Sequence, residues 1–352
     1  MRDMFVGGDM KKYAILMVWW ALLPFGLFAQ TQLLYREASE RLDVDHTLDF
    51  LLKGHFSVTV EQGDSFGVFV SPYIAKNAKI KRQKGRLEIS LSKGGEVYLE
   101  GEKIRIVLAR GEEIPQLSMN LARPWRLFGI GSSRGTTSFF MKNIKINKFL
   151  LTYSAQQTID IRNISAEEFR LVGSGSGKGE LHGIQAKRMD VKNSGSMALL
   201  LEAITATEMT MQSSGSAEFI LNNLELVRLA LENSGSIRWQ LDNARVQEMH
   251  AKSSGSAKIA VERSPMQLVD LSNSGSMQMK HLSLVDLLRV KSSGSFHGEF
   301  ILKNTLHWIK NSGSAKLTLA GQSKIDLHNS GSLHINDQRY RGDFKGILAI
   351  VP

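Results

Sequence analysis

Val191-Lys192-Asn193-Ser194-Gly195-Ser196-Met197-Ala198-Leu199-Leu200-Leu201 and, twenty residues on, Met211-Gln212-Ser213-Ser214-Gly215-Ser216-Ala217-Glu218-Phe219-Ile220-Leu221 are two copies of one unit. Their shared Ser-Gly-Ser recurs nine times, centred on Gly175, Gly195, Gly215, Gly235, Gly255, Gly275, Gly294, Gly313 and Gly331. The steps between them are 20 residues five times, then 19, 19 and 18. A fixed period of this size marks a stacked repeat, whose unit cannot bury its apolar face without neighbours on both sides.

Counting from each glycine as position 0, apolar residues stand at −6 and −4 (Met209/Met211, Leu229/Leu231) and again at +4 and +6 (Phe219/Leu221, Ile259/Val261). Spacing by two with polar residues between is the signature of strands with one buried face. The expectation is an all-β chain: a right-handed parallel β-helix of about 20-residue coils with a β-rich N-terminal cap. The hand follows the usual preference of parallel crossovers. Nine steps at the strand spacing predict a rod of roughly 43 Å.

Position −2 reads Asn193, Ser213, Asn233, Ser253, Asn273, Ser292, Asn311, and the alternation breaks at Asn329. By parity it points inward, where an unpaired amide is costly, so a polar ladder between coils is expected. Large and small residues alternate at +2 (Met197, Ala217, Ile237, Ala257), which lets layers interdigitate. The serines beside each glycine point outward as two hydroxyl files, although serine and glycine are also what a tight corner prefers. Ice recognition leans on threonine files, which are absent.

Composition narrows the partners. The chain has 352 residues, no cysteine and a net charge of +10, or +9 (41 basic against 32 acidic) without residues 1–29. No disulfide framework, thiolate metal site or catalytic thiol is available, and the charge favours anionic surfaces. Lys11-Lys12, the apolar run Tyr13 to Phe28 and Phe28-Ala29-Gln30 form the n-region, h-region and cleavage site of a secretory signal. The rival is an uncleaved anchor, for which the run is short and broken by Pro24. The expected organisation is a signal peptide at 1–29, a β-rich N-terminal region at 41–121, an irregular insertion or first coils at 122–150, and the β-helix at 151–352. Within the third segment, Arg123-Pro124-Trp125-Arg126-Leu127-Phe128 is a basic, aromatic loop and a contact candidate or a packed crossover.

Lys53-Gly54-His55-Phe56-Ser57-Val58-Thr59-Val60-Glu61-Gln62-Gly63-Asp64, then Gly85-Arg86-Leu87-Glu88-Ile89, then the Ser-Gly-Ser coils, resemble in that order the autotransporter adhesin head domain (GIN domain) family of Bacteroidetes. The resemblance spans about Val44 to Val351. It implies an exported β-helical adhesin at the cell surface, outside the cell or in the periplasm, and supplies no catalytic residues.

Candidate chemistry is sparse. Carbohydrate cleavage wants clustered carboxylates, whereas the outward acids Asp190, Glu218, Glu232, Asp270, Glu299 and Asp326 are read as occupying different columns. The histidines lack metal-ligand spacing; His281 and His307 sit where other coils are apolar and are read as interior. No cofactor, metal or enzymatic activity is expected. Position −3 carries Lys192, Lys252, Lys291 and Lys310 beside the serine files. With Ser254, Ser256, Ser274 and Ser276 these lysines are the candidate ligand-binding residues, suited to an anionic polysaccharide or another cell-surface ligand. Solvated edge lysines that deter aggregation are the plain alternative. Nucleic acid is not expected, and self-association of a structural envelope component is the second functional reading.

Overall fold

The computed structural model describes residue 38 and residues 40–348, apart from 44–47, 55, 84, 92–101, 111–113, 115, 123–136, 155, 304 and 322. The signal peptide expected at 1–29 and the loop expected at 123–128 lie outside the described residues. The described chain is a β-solenoid of about 10 turns, built from stacked parallel coils of about 20 residues.

One coil shows the design. Strand Ser196–Glu202 ends at Ala203, which has φ 54°, and strand Thr205–Ser213 leads to the bend at Ser214-Gly215. Within Thr205–Ser213 the alternation slips: Thr207 and Glu208 are both exposed, and residue 207 drops out of the pairing with the coil before. The strand therefore turns a corner there, and the coil has three sides. Successive coils pair residue for residue, Ser196 with Ser216 and Met209 with Leu229. The core runs down the axis and includes Met209, Met211, Phe219, Leu221, Trp239 and Ile259. The short side, with Ile204, Leu224 and Ala244, completes it.

The glycine corner is governed by close approach. A Cβ on Gly215 would lie 2.0 Å from the carbonyl oxygen of Gly195, and one on Gly255 would lie 2.1 Å from that of Gly235. These contacts are with backbone, which cannot swing aside. The buried amide at −2 locks the same corner. Asn233 Nδ2 lies 3.1 Å from the Gly235 carbonyl, 3.1 Å from Ser253 Oγ and 3.0 Å from the Ser256 carbonyl, while Gly235 N–H donates to Asn233 Oδ1 at 3.0 Å. Each asparagine thus ties its own turn to the next coil. Where two asparagines meet, Asn311 donates to Asn329 Oδ1 at 2.9 Å, so the break in alternation keeps the ladder. At the other end Tyr153 fills the −2 position and lies over Gly173 and Gly177, which have no side chain to displace it.

The second corner has its own device. Asn143, Asn163, Asn223 and Asn243 hold positive φ there, a conformation asparagine tolerates. Their amides pair between coils, Asn163 to Asn143 at 3.0 Å and Asn243 to Asn223 at 2.6 Å.

The N-terminal region continues the stack out of chain order. Strand Asp49–Lys53 lies between Arg86–Ser90 and Gln116–Ala122, all parallel. Phe56–Gly63 likewise lies between Glu102–Ala109 and the start of Thr137–Tyr153. Residues 137–153 pair with 157–173, so the 20-residue register already holds there. Antiparallel strands terminate the parallel ladder at both ends. Lys79–Gln83 and Gly67–Val70 cover the N-terminal edge, and Phe344–Leu348 and Gln338–Tyr340 cover the C-terminal one. Such strands blunt an edge that would otherwise pair with another chain. A short helix, Pro72–Asn77, capped by Ser71, links two of the N-terminal strands.

Gly255→Ala is expected to cost about 3 kcal/mol of stability in guanidinium unfolding, the upper part of the usual overpacking range. The outward control Ser254→Ala should stay within about 0.5 kcal/mol of the parent. Equal stability of the two variants would show that the corner can widen.

Candidate functional site

The outward residues form columns because the register between coils is exact over most of the rod. Position −3 runs Lys192, Gln212, Glu232, Lys252, Ser272, Lys291, Lys310, His328. Lys252, Lys291 and Lys310 are exposed and Lys192 is half-buried. Lys291 and Lys310 are direct register partners, whereas Lys192 and Lys252 are separated by Gln212 and Glu232, which hydrogen-bond to each other at 2.8 Å. The structure therefore brings two of the four lysines together and sets the other two at the ends of a groove of about 470 Å³.

The serine files border this column. Ser254, Ser256, Ser274 and Ser276 are exposed. Their backbone N–H groups donate to the coil before, as Ser256 does to Gly235 at 2.8 Å. No protein partner of their hydroxyls is found among the described residues. The corner is a ridge, with the lysine groove on one flank and a second groove of about 630 Å³, floored by the serines from Ser176 to Ser256, on the other.

One outward column is neutralised in place. Seven residues before the glycine runs Lys148, Glu168, Arg188, Glu208, Arg228, Glu248, alternating in sign at every coil. Ion pairs of 3.4 Å (Lys148–Glu168), 3.9 Å (Arg188–Glu168) and 3.2 Å (Arg228–Glu248) follow that column. None of the four −3 lysines makes an ion pair among the described residues, a property they share with other exposed cations such as Lys178, Arg245 and Lys258.

The expectation that the outward acids occupy different columns needs correction. Asp190, Asp270 and Asp326 share position −5, but other coils intervene and none of the three is a neighbour of another. Asp160 and Glu180 are neighbours, and Arg162 bridges them at 2.7 Å and 3.4 Å. Asp242 and Glu262 are also neighbours, with Arg263 paired to Asp242. No group of three or more metal-ligating side chains is close enough to hold an ion among the described residues.

Both interior histidines are buried as read. His307 Nδ1 accepts from Leu288 N–H at 3.0 Å while Nε2 faces the Lys303 carbonyl at 2.9 Å, which fixes one tautomer. His281 Nε2 has no hydrogen-bond partner among the described residues, and burial lowers the pKa of the ring from 6.5 to about 4. Sequence reading missed the sign-alternating column, although one step beyond −6 would have found it. It also missed Arg289 and Trp308 at −5, where the guanidinium lies 5.1 Å from the ring centroid.

A solenoid of this register, with a regular polar ridge outside, matches one known family over residues 51–242, described as "Putative auto-transporter adhesin, head GIN domain". The chain belongs to that family. Membership makes it an adhesin-like protein of the exported, cell-surface kind. No curated protein matches the chain. The GIN-domain match ends at 242, yet the coils continue in the same register through Ile335. The paired lysines therefore lie beyond the matched segment.

Because His281 is neutral when folded, the unfolded chain binds its proton first, near pH 6.5. Stability should be highest above that pH and fall by about 2–3 kcal/mol as pH drops from 6.5 to 4, at 1.36 kcal/mol for each pKa unit. His281→Leu, which restores the residue type of Leu201 and Leu221, should flatten unfolding midpoints over that window. An unchanged pH profile in the variant would assign the loss to other groups.

Proposed function

We propose that this GIN-domain protein is a non-catalytic adhesin that holds an anionic polysaccharide along the ridge. Its contacts would be Lys252, Lys291 and Lys310, with Lys192 at the far end and the hydroxyls of Ser254, Ser256, Ser274 and Ser276 alongside. One observation carries the reading: none of these lysines makes an ion pair among the described residues, and Lys291 and Lys310 stand as direct register partners beside the unpartnered serine hydroxyls. Unpaired cations, Lys291 and Lys310 one coil apart and Lys252 two coils from Lys291, give a polymer repeated weak contacts, whose sum falls as salt rises. The free hydroxyls add hydrogen bonds without a desolvated charge.

The test is binding of the purified protein to acidic and neutral polysaccharides and to lipopolysaccharide, at low and physiological salt. The acidic polymers should bind selectively, and reversal of Lys252, Lys291 and Lys310 to Glu should weaken them at least about tenfold with an unchanged melting temperature. Equal binding by the variant, or no binding at physiological salt, would overturn the reading.

A second reading, self-association, is favoured by one other feature. After Glu248 the sign-alternating column becomes Leu268 and Leu287, half-buried register partners. Leu284 and Ile301, also register partners, are 43% and 38% exposed. If two copies meet there, the mass in sedimentation equilibrium should rise with concentration and return to monomer in Leu268→Glu/Leu287→Lys, which continues the charge pattern. A constant monomer mass would remove this reading.

A further inference from the structure

The strongest unassigned cluster lies on the outward side of the last full coils, where Arg289 and Lys291 occupy one coil and Trp308 and Lys310 the next. Arg289 pairs in register with Trp308, and Lys291 with Lys310, so the four residues form a two-by-two grid. Along each strand the two members are about 7 Å apart, and across the coils ~4.8 Å. Trp308 is 48% exposed, unusual for the largest apolar side chain in a molecule whose other described tryptophan, Trp239, is fully buried. Arg289 lies over its ring at 5.1 Å and so covers one side of it.

The three cations of the grid make no ion pair among the described residues, although carboxylates flank them. Asp270, the register partner of Arg289 in the coil before, is drawn to His250 at 3.7 Å. Asp326, the partner of Trp308 in the coil after, is drawn to His328 at 3.3 Å and Lys345 at 3.5 Å. Arg289 Nε is moreover buried without a hydrogen-bond partner among the described residues. The grid therefore presents three cations without ion-pair partners beside an indole with one open face.

We infer that Trp308, Arg289, Lys291 and Lys310 form a subsite for one hexuronate residue of an acidic polysaccharide. The inference rests on the polysaccharide reading above and names the sugar class. The C–H face of a pyranose ring packs on the indole, as apolar faces do on aromatic rings. Its carboxylate meets the ammonium groups of Lys291 and Lys310, while the Arg289 guanidinium, stacked on the opposite face, holds the indole in place. A phosphate polymer would use the cations but gain nothing from the indole. Single-stranded nucleic acid wants several aromatic platforms in succession, whereas position −5 offers Asp270 and Asp326 on either side of this pair.

The test titrates the intact protein with oligogalacturonate, with polyphosphate of matched charge and with oligo-dT, by calorimetry at physiological salt. Trp308→Ala should weaken oligogalacturonate about tenfold or more and leave polyphosphate within about twofold, while Trp308→Phe, which keeps an aromatic face, should stay near the parent. Lys291→Glu/Lys310→Glu should weaken both polymers. Matching melting temperatures establish that the variants fold. If Trp308→Ala changes neither polymer, or both equally, while the lysine reversals still weaken both, the uronate subsite is wrong and the anionic-ligand reading stands. If the parent binds neither polymer, both readings fall. Tighter binding of oligo-dT than of oligogalacturonate, lost in Trp308→Ala, would overturn the subsite in favour of nucleic acid.

Discussion

Everything regular in this molecule depends on how closely the backbone of one Ser-Gly-Ser corner lies over the next. The Cβ-to-carbonyl distances that any other residue would create, 2.0 to 2.3 Å from Gly195 to Gly331, leave no room for a side chain. With the glycines in place, the corner becomes the fixed point from which both flanking strands are measured. The buried asparagines then convert that closeness into directed hydrogen bonds, so register is held by geometry and chemistry together. A one-residue slip would put Asn233 outside and Ser234 inside, and turn every core residue of that coil to the solvent.

How much of this could be read beforehand depended on distance from the glycine. Positions −6 to +6 were legible because their parity counts from an invariant corner, and Met209, Met211, Phe219 and Leu221 are buried as that count requires. The short side was not legible. Reaching Ile204 and Leu226 means passing Ala203, whose positive φ breaks the alternation, and before Met209 the alternation slips again at Thr207. The N-terminal stacking order was hidden for a different reason: Asp49–Lys53 pairs with strands far downstream, and no local pattern encodes its neighbours. The lysine column was visible as a list of residues. Its lack of ion pairs was not, since that depends on where the neighbouring carboxylates, Glu232 of the same column among them, point.

The surface divides into two kinds of electrostatics. Along the column from Lys148 to Glu248 opposite charges alternate between coils, and exposed pairs of this sort add little stability individually. Their larger effect is on the field: they leave that side of the rod close to neutral. On the neighbouring side Arg289, Lys291 and Lys310, near the C-terminal end, stand together and make no ion pair among the described residues. Together with the exposed indole of Trp308, this gives the rod a chemically distinct end on an otherwise repetitive surface.

The stacking order of the N-terminal coils bears on how such a rod assembles. From Thr137 onward each coil needs only its predecessor, so a growing stack closes one short loop at a time. The coil at 49–63 instead waits for strands on both of its sides, and the ion pair between Glu61 and Arg105 spans 44 residues. A chain synthesised from its N-terminus therefore cannot finish its leading end until Thr137–Tyr153 has followed. That end is a clasp that closes late, and the repetitive coils behind it are the part that can form as they arrive.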